Sequence, residues 1–192
     1  MINMGIGPLG GSDIVHKRKF RWTFEVYQVN ANGGKGSLYV PQHFVKVASR
    51  PNISIEETEI NFLHGKSYLP GKGTWETITV TYYDVSRANG GQANEGLWNW
   101  LASVYDYTNP ATLYHSSTRE GYGGVGDLTM YDGCGAALET WTLGDLWPQA
   151  VNFGELDYSS SEECTIEVTL RYGNVGYSNF CGNDPVPQCT GC

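Results

Sequence analysis

The chain has 192 residues, 40% of them hydrophobic, with 20 acidic and 12 basic side chains and a formal net charge of −8. This length fits one domain, and the acidic balance argues against electrostatic binding to nucleic acid, which depends on lysine and arginine neutralising phosphates. It is compatible with an acidic surface that serves solubility or with a conduit wall that repels phosphate. No apolar run approaches bilayer-spanning length and the N-terminus shows no cleavable leader. We therefore expect cytosolic synthesis and no membrane anchor.

The N-terminal part predicts an arm followed by a strand. Residues 1–18 open with a glycine-rich stretch at 5–11, which does not hold regular structure alone. A first strand is predicted next, because four apolar residues alternate with polar ones. These four residues are Phe20, Trp22, Phe24 and Val26. Residues 30–36, NANGGKG, predict a hairpin loop, and extended structure is expected to resume at 38–48.

Residues 51–62 predict a strand that carries an acidic cluster. Ile53 and Ile55 are expected to pack against the core, while Glu56, Glu57 and Glu59 place three carboxylates within four residues. A pair of carboxylates is the catalytic apparatus of many glycosidases. Because no histidine or aspartate lies nearby, we interpret this cluster as a solvated face.

Two glycine-rich stretches resemble nucleotide-binding motifs but lack the context that those motifs need. Gly65-Lys66-Ser67 would require a glycine where Ile60 stands and a helix where Pro70-Gly71 predicts a turn. Residues 121–126, GYGGVG, precede a predicted strand at 127–131 instead of a helix, so no helix N-terminus is available for a pyrophosphate. We reject both nucleotide sites.

Regular alternation and one helical stripe dominate the middle of the chain. Residues 74–84 predict a single strand with Ile78, Val80 and Tyr82 on one face. A helix is predicted over 95–107, with Asn94 as its N-cap. Its apolar stripe falls at i, i+3, i+4 and i+7, and consists of Leu97, Trp100, Leu101 and Val104.

The C-terminal half predicts two strands, at 138–143 and 165–172, on either side of irregular structure. Trp147-Pro148 sets an extended entry, and residues 159–162 predict a turn with local hydrogen bonds from side chains to the backbone. In the second strand apolar and polar residues alternate, so the two faces differ. Ile166, Val168 and Leu170 point one way, and Thr165, Glu167, Thr169 and Arg171 point the other.

The last segment, residues 174–192, contains Cys181, Cys189 and Cys192 in a C-x7-C-x2-C spacing. Three thiolates could bind zinc with a fourth ligand from a histidine or from a neighbouring chain. Only one C-x2-C pair is present, so free thiols or a disulfide that forms late are favoured over a metal site. A surface ornament and a contact to a surrounding layer are both open as roles for this tail.

No catalytic constellation is found, and we predict that the protein is not an enzyme. His115, Ser116 and Ser117 are neighbours in the chain, and adjacent residues rarely meet in triad geometry. A soluble β-sandwich that binds carbohydrate remains an alternative, with Trp98, Trp147 and tyrosines as a stacking platform.

One order of segments carries a resemblance to a known family. The segments are Trp141-Thr142-Leu143, Trp147-Pro148, FGELD at 153–157, the serines at 159–161 and TIEVTL at 165–170. This order resembles the C-terminal half of the tail tube proteins of contractile-tailed bacteriophages, which are related to the tubes of contractile injection systems. The segment LPGKGTW at 69–75, the turn at 132–135 and a helix with a tryptophan near its start are also similar to that family.

The resemblance implies a mainly β fold, an antiparallel β-sandwich or barrel of the tail-tube type with one flanking α-helix. We therefore divide the chain into an N-terminal arm at 1–18, a tube domain at 19–173 that contains the helix at 95–107, and a cysteine-containing tail at 174–192 that the resemblance does not reach. No cofactor and no metal are expected.

The resemblance also implies a function. Six copies would close into a ring, and rings would stack helically into a phage tail tube whose acidic lumen conducts genomic DNA in transit during ejection, without specific binding. Tail sheath, tape measure within the lumen, baseplate and tail terminator proteins would be its partners. The protein would be assembled in the host cytoplasm and reside in the virion tail. A tube subunit of an injection system, or a tube-like baseplate protein, is the alternative.

Two sets of site residues follow as candidates. Those expected to line the lumen are Glu56, Glu57, Glu59, Thr165, Glu167 and Thr169. Those expected at contacts between rings are Asn32, Gly33, Lys35, Arg119 and Tyr122.

Overall fold

A computed structural model describes residues 17–29, 34–86, 95–105 and 119–179. Within these ranges the chain forms ten strands, which confirms the mainly β fold, together with one ten-residue α-helix and two short helical turns. The strands are β1 Trp22–Val29, β2 Lys35–Val40, β3 Val45–Ala48, β4 Ile53–Phe62, β5 Gly65–Trp75, β6 Ile78–Tyr83, β7 Gly124–Tyr131, β8 Ala137–Asn152, β9 Thr165–Arg171 and β10 Asn174–Asn179. The helices are α1 Glu95–Val104, α2 Arg119–Tyr122 and a 3-10 turn at Gln42–Phe44.

All strand pairs are antiparallel and form two connected sheets and a separate hairpin. Sheet A has the order β2-β1-β7-β8-β10, and sheet B has the order β3-β6-β9-β8. Strand β8 therefore belongs to both sheets. The third unit is the two-stranded β4–β5 hairpin.

The two sheets join at a bend in β8, beside the segment that links β9 to β10. The first part of β8 pairs with β7 and β10, and its last residues, from Trp147 onward, pair with β9. At the bend Asp145 has a φ of 56°, a left-handed conformation that aspartate tolerates better than most residues. Opposite it, the Gly173 amide donates to the Gly144 carbonyl at 3.0 Å. The predicted extended entry at Trp147-Pro148 is correct, but this pair lies inside β8.

The core lies between the two sheets and confirms most of the predicted alternation. Eight of its side chains on β1, β6 and β9 are at most 1% exposed, and each contributes about 1.5–3 kcal/mol by leaving water. They are Phe24, Val26, Ile78, Val80, Tyr82, Ile166, Val168 and Leu170. Phe20 is an exception, since it lies in a turn before β1 and is 75% exposed. The predicted strand at 74–84 is interrupted, because β5 ends at Trp75 and β6 begins at Ile78.

Helix α1 covers one edge of the core through its predicted apolar stripe. Leu97, Trp100 and Leu101 are buried. The Trp100 ring stacks on Tyr39 of β2 at 5.3 Å between centroids, and its Nε1 donates to the Tyr122 carbonyl of α2 at 2.8 Å. The helix ends at Val104 and Tyr105 is not helical, so the predicted helix is too long at this end, whereas residues 106–107 and the predicted cap at Asn94 fall outside the described residues. None of the helices in the described ranges combines the length and hydropathy of a membrane-spanning segment.

The C-terminal segment begins with regular structure. Strand β10 pairs with β8 over Asn174–Asn179, so sheet A continues past residue 173, where the sequence predicted the domain to end. The three tail cysteines lie outside the described residues. Cys134, in the turn between β7 and β8, is disulfide-bonded, whereas Cys164 is free and exposed.

Replacing Trp100 tests how α1 is attached. We expect Trp100→Ala to lower the free energy of unfolding by about 3–5 kcal/mol, because it removes a buried ring. Trp100→Phe keeps a ring against Tyr39 but removes the donor to the Tyr122 carbonyl, so a loss of about 1–3 kcal/mol is expected. Urea unfolding followed by fluorescence measures both. A Trp100→Phe variant as stable as the wild type would contradict a role for the hydrogen bond, and equal losses for the two variants would contradict a separate contribution from the ring.

Candidate assembly surfaces

The β4–β5 hairpin exposes an unusual number of large apolar side chains. Every residue from Ile53 to Thr74 is exposed. The prediction that Ile53 and Ile55 pack in the core is therefore wrong, since they are 51% and 60% exposed. The exposed apolar residues of the hairpin are Ile53, Ile55, Ile60, Phe62, Leu63, Tyr68 and Leu69.

These side chains occupy both faces of the hairpin. Cross-strand partners in an antiparallel pair point to the same face, and successive residues alternate. Ile53 and its partner Trp75 therefore share one face with Ile55, whereas Ile60 and Phe62 point to the other face. A two-stranded hairpin is marginally stable by itself in water. Two apolar faces without cover are thus expected to bind another surface.

The hairpin contains a β-bulge at the place where the sequence predicted a turn. Pro70 lies within β5 opposite Glu57, and the chain reverses at Leu63-His64 instead. Proline is tolerated at this position because β5 has β4 as its only sheet partner within the described part of the chain. Next to Pro70, Gly71 lies so close to Glu56 that an added Cβ would stand 3.0 Å from the Glu56 carbonyl oxygen. The register shift at this point requires that close approach.

The structure separates the predicted lumen residues into two groups. Glu56, Glu57 and Glu59 lie on the exposed hairpin, where Glu59 forms an ion pair with Lys66 at 2.7 Å. Thr165, Glu167 and Thr169 lie on the outer face of sheet B. The two groups are on different sheets, so they do not form one continuous wall within a single copy.

The outer face of sheet B is polar and carries small side chains. Glu167 pairs with Thr81, and Thr169 pairs with Thr79, so hydroxyl groups surround one carboxylate. Arg171 points to the same face at the end of β9. Sequence alternation predicted this face correctly, because Ile166, Val168 and Leu170 point into the core.

Lys35, a predicted contact between rings, is engaged within its own chain. Its Nζ forms an ion pair with Glu25, lies 3.4 Å from Asp127 and stands 4.6 Å above the centre of the Tyr27 ring. The Tyr27 hydroxyl donates to Asp127 at 2.9 Å. Burial, followed by the hydrogen bond to Asp127 and its negative charge, raises the pKa of Tyr27 to about 12. The cluster thus stabilises the β1–β2–β7 surface.

The other predicted ring contacts are only partly described. Tyr122 is partly buried in α2, with its carbonyl oxygen bound by Trp100. Arg119 begins the same short helix. Asn32 and Gly33 lie outside the described residues.

A buried carboxylate at one end of sheet A was not predicted. Glu139 is 1% exposed and forms ion pairs with both Lys17 and Arg50. Burial acts to raise the pKa of Glu139, but the hydrogen bonds and charges of the two cations outweigh it and lower that pKa below its usual value. Glu139 shares the inward face of β8 with Trp141 and Leu143, and a charged residue at an inward position was the available signal.

The two tryptophans proposed for carbohydrate stacking are not free platforms. Trp98 and Trp147 are both partly buried. The Trp98 ring already stacks on Phe153, with centroids 5.2 Å apart and an interplanar angle of 3°. A sugar would have to displace that contact.

Replacing Glu139 tests the buried ion pairs. We expect Glu139→Gln to lower the free energy of unfolding by about 1–3 kcal/mol near neutral pH, because two cations lose their charged partner. The folded-state pKa is lowered, so the stabilisation is complete above the unfolded pKa of about 4.3 and is lost as the pH falls through the folded value.

Urea unfolding of both proteins from neutral pH to about pH 3 measures this difference. The matched control is Glu167→Gln, which changes an exposed carboxylate by less than about 0.5 kcal/mol. A penalty for Glu139→Gln that stays constant over this pH range would rule out the charge as its cause.

Comparison with known proteins identifies the fold. Neither protein-family models nor curated protein sequences match the chain. Among solved structures, a chain of the sheath/tube terminator of the PVC extracellular contractile injection system matches with a TM-score of 0.60 and 16% identity, over 87% of this chain and 99% of that one. A chain of the PVC sheath–tube complex matches with a TM-score of 0.58 and 16% identity, over 85% and 92% of the two chains.

A chain of the anti-feeding prophage baseplate is similar in the same way, with a TM-score of 0.59 and 13% identity over 89% of this chain and 98% of that one. Two of these chains thus belong to structures of a contractile injection system, and the third belongs to the structure of a prophage baseplate. The chain therefore has the fold found in tube, terminator and baseplate structures of contractile injection systems, as the sequence resemblance implied.

Proposed function

We propose that the protein is a structural subunit that associates with copies of itself into rings, and that the rings stack into the tube of a contractile phage tail or related particle. The observation that carries this proposal is the β4–β5 hairpin, whose apolar side chains are exposed on both faces. A single copy offers them no cover, whereas a neighbouring copy would bury them.

The shared fold supports the same role. The similar chains come from the sheath–tube complex and the sheath/tube terminator of a contractile injection system and from a prophage baseplate. By analogy, this chain would contact other tube subunits, a surrounding sheath, and terminator and baseplate proteins at the tube ends. A tape measure protein would occupy the lumen before ejection.

Sheet B has the shape expected of one segment of a tube wall. It contributes four strands, with β3 and the second half of β8 at its margins within the described residues. Strand edges carry unpaired backbone groups that favour pairing with another chain. Six copies would give roughly 24 strands, hence a circumference of about 115 Å and a diameter of about 37 Å at about 4.8 Å per strand. A DNA duplex fits within that diameter.

The outer face of sheet B is the proposed wall of the channel. Threonine hydroxyls and Glu167 offer phosphate groups no cationic binding site, so DNA would pass without being held. Arg171, at the end of β9, would lie toward the margin of this surface.

A tube or baseplate component of an injection system is the second candidate. Two of the similar structures described above come from such a system, which favours it directly. Neighbouring genes separate the two candidates, since a portal and a terminase indicate a phage and an effector cluster indicates an injection system.

Electron microscopy of the purified chain tests self-association. We expect negatively stained samples at high protein concentration to contain rings or short tubes with a central hole, because assembly covers the hairpin. A strictly monomeric species at every concentration, checked by sedimentation velocity, would contradict the proposal.

Polar substitutions at the hairpin tip test the surface that drives association. Phe62 and Leu63 are 63% and 92% exposed, so Phe62→Ser with Leu63→Ser is expected to leave monomer stability unchanged. If assembly buries both side chains, the double variant loses about 3 kcal/mol or more, which is roughly a hundredfold weaker association. Sedimentation over a concentration series measures the change.

Leu156→Ser is the matched control, because Leu156 is 87% exposed but lies in the loop after β8. It is expected to change association less than about threefold. If the control and the double variant weaken association equally, the hairpin has no special role.

A further inference from the structure

A cleft with a basic rim opens between β3 and sheet A. Its volume is about 640 Å³, and its floor includes the apolar side chains of Trp22, Leu128 and Met130. Four cationic residues line it: Lys17, Lys19, Lys46 and Arg50. Because the whole chain has only 12 basic residues and a net charge of −8, this concentration of positive charge is local and opposite to the rest of the molecule.

Two of these cations share the single carboxylate of Glu139, and the other two form no ion pair within the described residues. Lys17 and Arg50 form ion pairs with Glu139. Lys19 and Lys46 are exposed, and neither forms an ion pair with any residue in the described part of the chain. The Lys46 Nζ lies 5.3 Å from the centre of the Tyr83 ring, at the outer margin of sheet B. The cleft therefore presents two available positive charges beside an apolar floor.

The hairpin carries the complementary chemistry. Glu56 and Glu57 are exposed and form no ion pair with other described residues, whereas Glu59 is paired with Lys66. Exposed Ile55 and Leu69 flank the two free carboxylates on the paired strands. Two free acids beside apolar side chains thus match two free cations beside an apolar floor.

The two surfaces are unable to meet within one copy without breaking the hairpin. Strand β4 begins at Ile53, directly after the cleft residue Asn52, and its base is held by the Glu76 amide, which donates to the Asn52 carbonyl at 2.9 Å. Glu56 and Glu57 lie about 10 Å or more further along β4 at about 3.3 Å per residue, and pairing with β5 keeps this strand extended. Folding back would cost those pairs.

We propose that the acidic segment of β4 from a second copy enters the cleft between sheet A and β3. Glu56 and Glu57 point to opposite faces of the hairpin, so one carboxylate would face Lys19 on the sheet A side and the other Lys46 on β3. The inference rests on the proposed function and adds the two surfaces that meet. Because the acidic and basic surfaces are different patches of one chain, the contact is heterologous, and each added copy offers the next site. Such a contact closes a ring or extends a stack.

Charge reversal tests this pairing. The first variant is Lys19→Glu with Lys46→Glu, and the second is Glu56→Lys with Glu57→Lys. Each alone is expected to weaken association at least tenfold in sedimentation velocity, because like charges then face each other. The effect should diminish as salt is raised. All four substituted residues are exposed, and urea unfolding of each variant verifies that the monomer remains folded.

Two restorations make the test specific. A chain with all four substitutions regains the complementary pairing in reverse and is expected to associate within about threefold of the wild type. An equimolar mixture of the two double variants is expected to associate as well, because the reversed hairpin fits the reversed cleft and the unchanged hairpin fits the unchanged cleft. Glu162→Lys with Glu163→Lys, in the exposed loop after β8, makes the same charge change and is the control.

The outcomes separate the two proposals. If the wild type assembles and the reversals have no effect, or if neither restoration occurs, the cleft does not receive the hairpin while the tube function stands. If the wild type remains monomeric at every concentration, the proposed function fails and this inference fails with it. If the lysine reversal changes binding of duplex DNA in a shift assay without changing assembly, the cleft takes nucleic acid instead and the inference is overturned.

Discussion

One constraint underlies this structure: the apolar side chains on both faces of the β4–β5 hairpin need another surface to cover them. A sheet in a monomer buries one face against its own core, as sheets A and B do. The β4–β5 hairpin has no such core, and Ile55 and Phe62 point to opposite sides of it. Exposure of this kind costs free energy that only another surface recovers. Sheets A and B thus form a complete core, whereas the β4–β5 hairpin leaves its apolar faces uncovered.

Sheets A and B hold the β4–β5 hairpin and the polar outer face of sheet B in fixed positions. Strand β8 bends at Asp145 and passes from sheet A to sheet B, while β9 and β10 follow it as an antiparallel partner on one side. This shared corner joins the two sheets around one core. Near the start of β8, Glu139 binds Lys17 and Arg50. These ion pairs tie the chain entering β1 and the chain entering β4 to sheet A. The root of the hairpin is therefore attached to the rigid part of the molecule.

Alternation in the sequence was sufficient to predict which residues of the core strands are buried. It was insufficient where burial depends on a second surface or on residues far away in the sequence. Ile166 and Val168 are buried as predicted, because their alternation reports a face covered by the chain itself. Ile53 and Ile55 show a similar pattern but are exposed, since alternation does not reveal which molecule covers a face. Local turn rules missed the bulge beside Pro70. The Glu139 site was missed because its partners lie 122 and 89 residues away in sequence.

Amide hydrogen exchange at two protein concentrations tests the central claim most directly, namely that another copy covers the hairpin. Peptides that span residues 53–75 should exchange rapidly in dilute solution and become protected when the protein is concentrated, while the buried strands β6 and β9 remain protected in both samples. Rapid exchange of the hairpin at both concentrations would contradict the account, because the apolar faces would then remain in water.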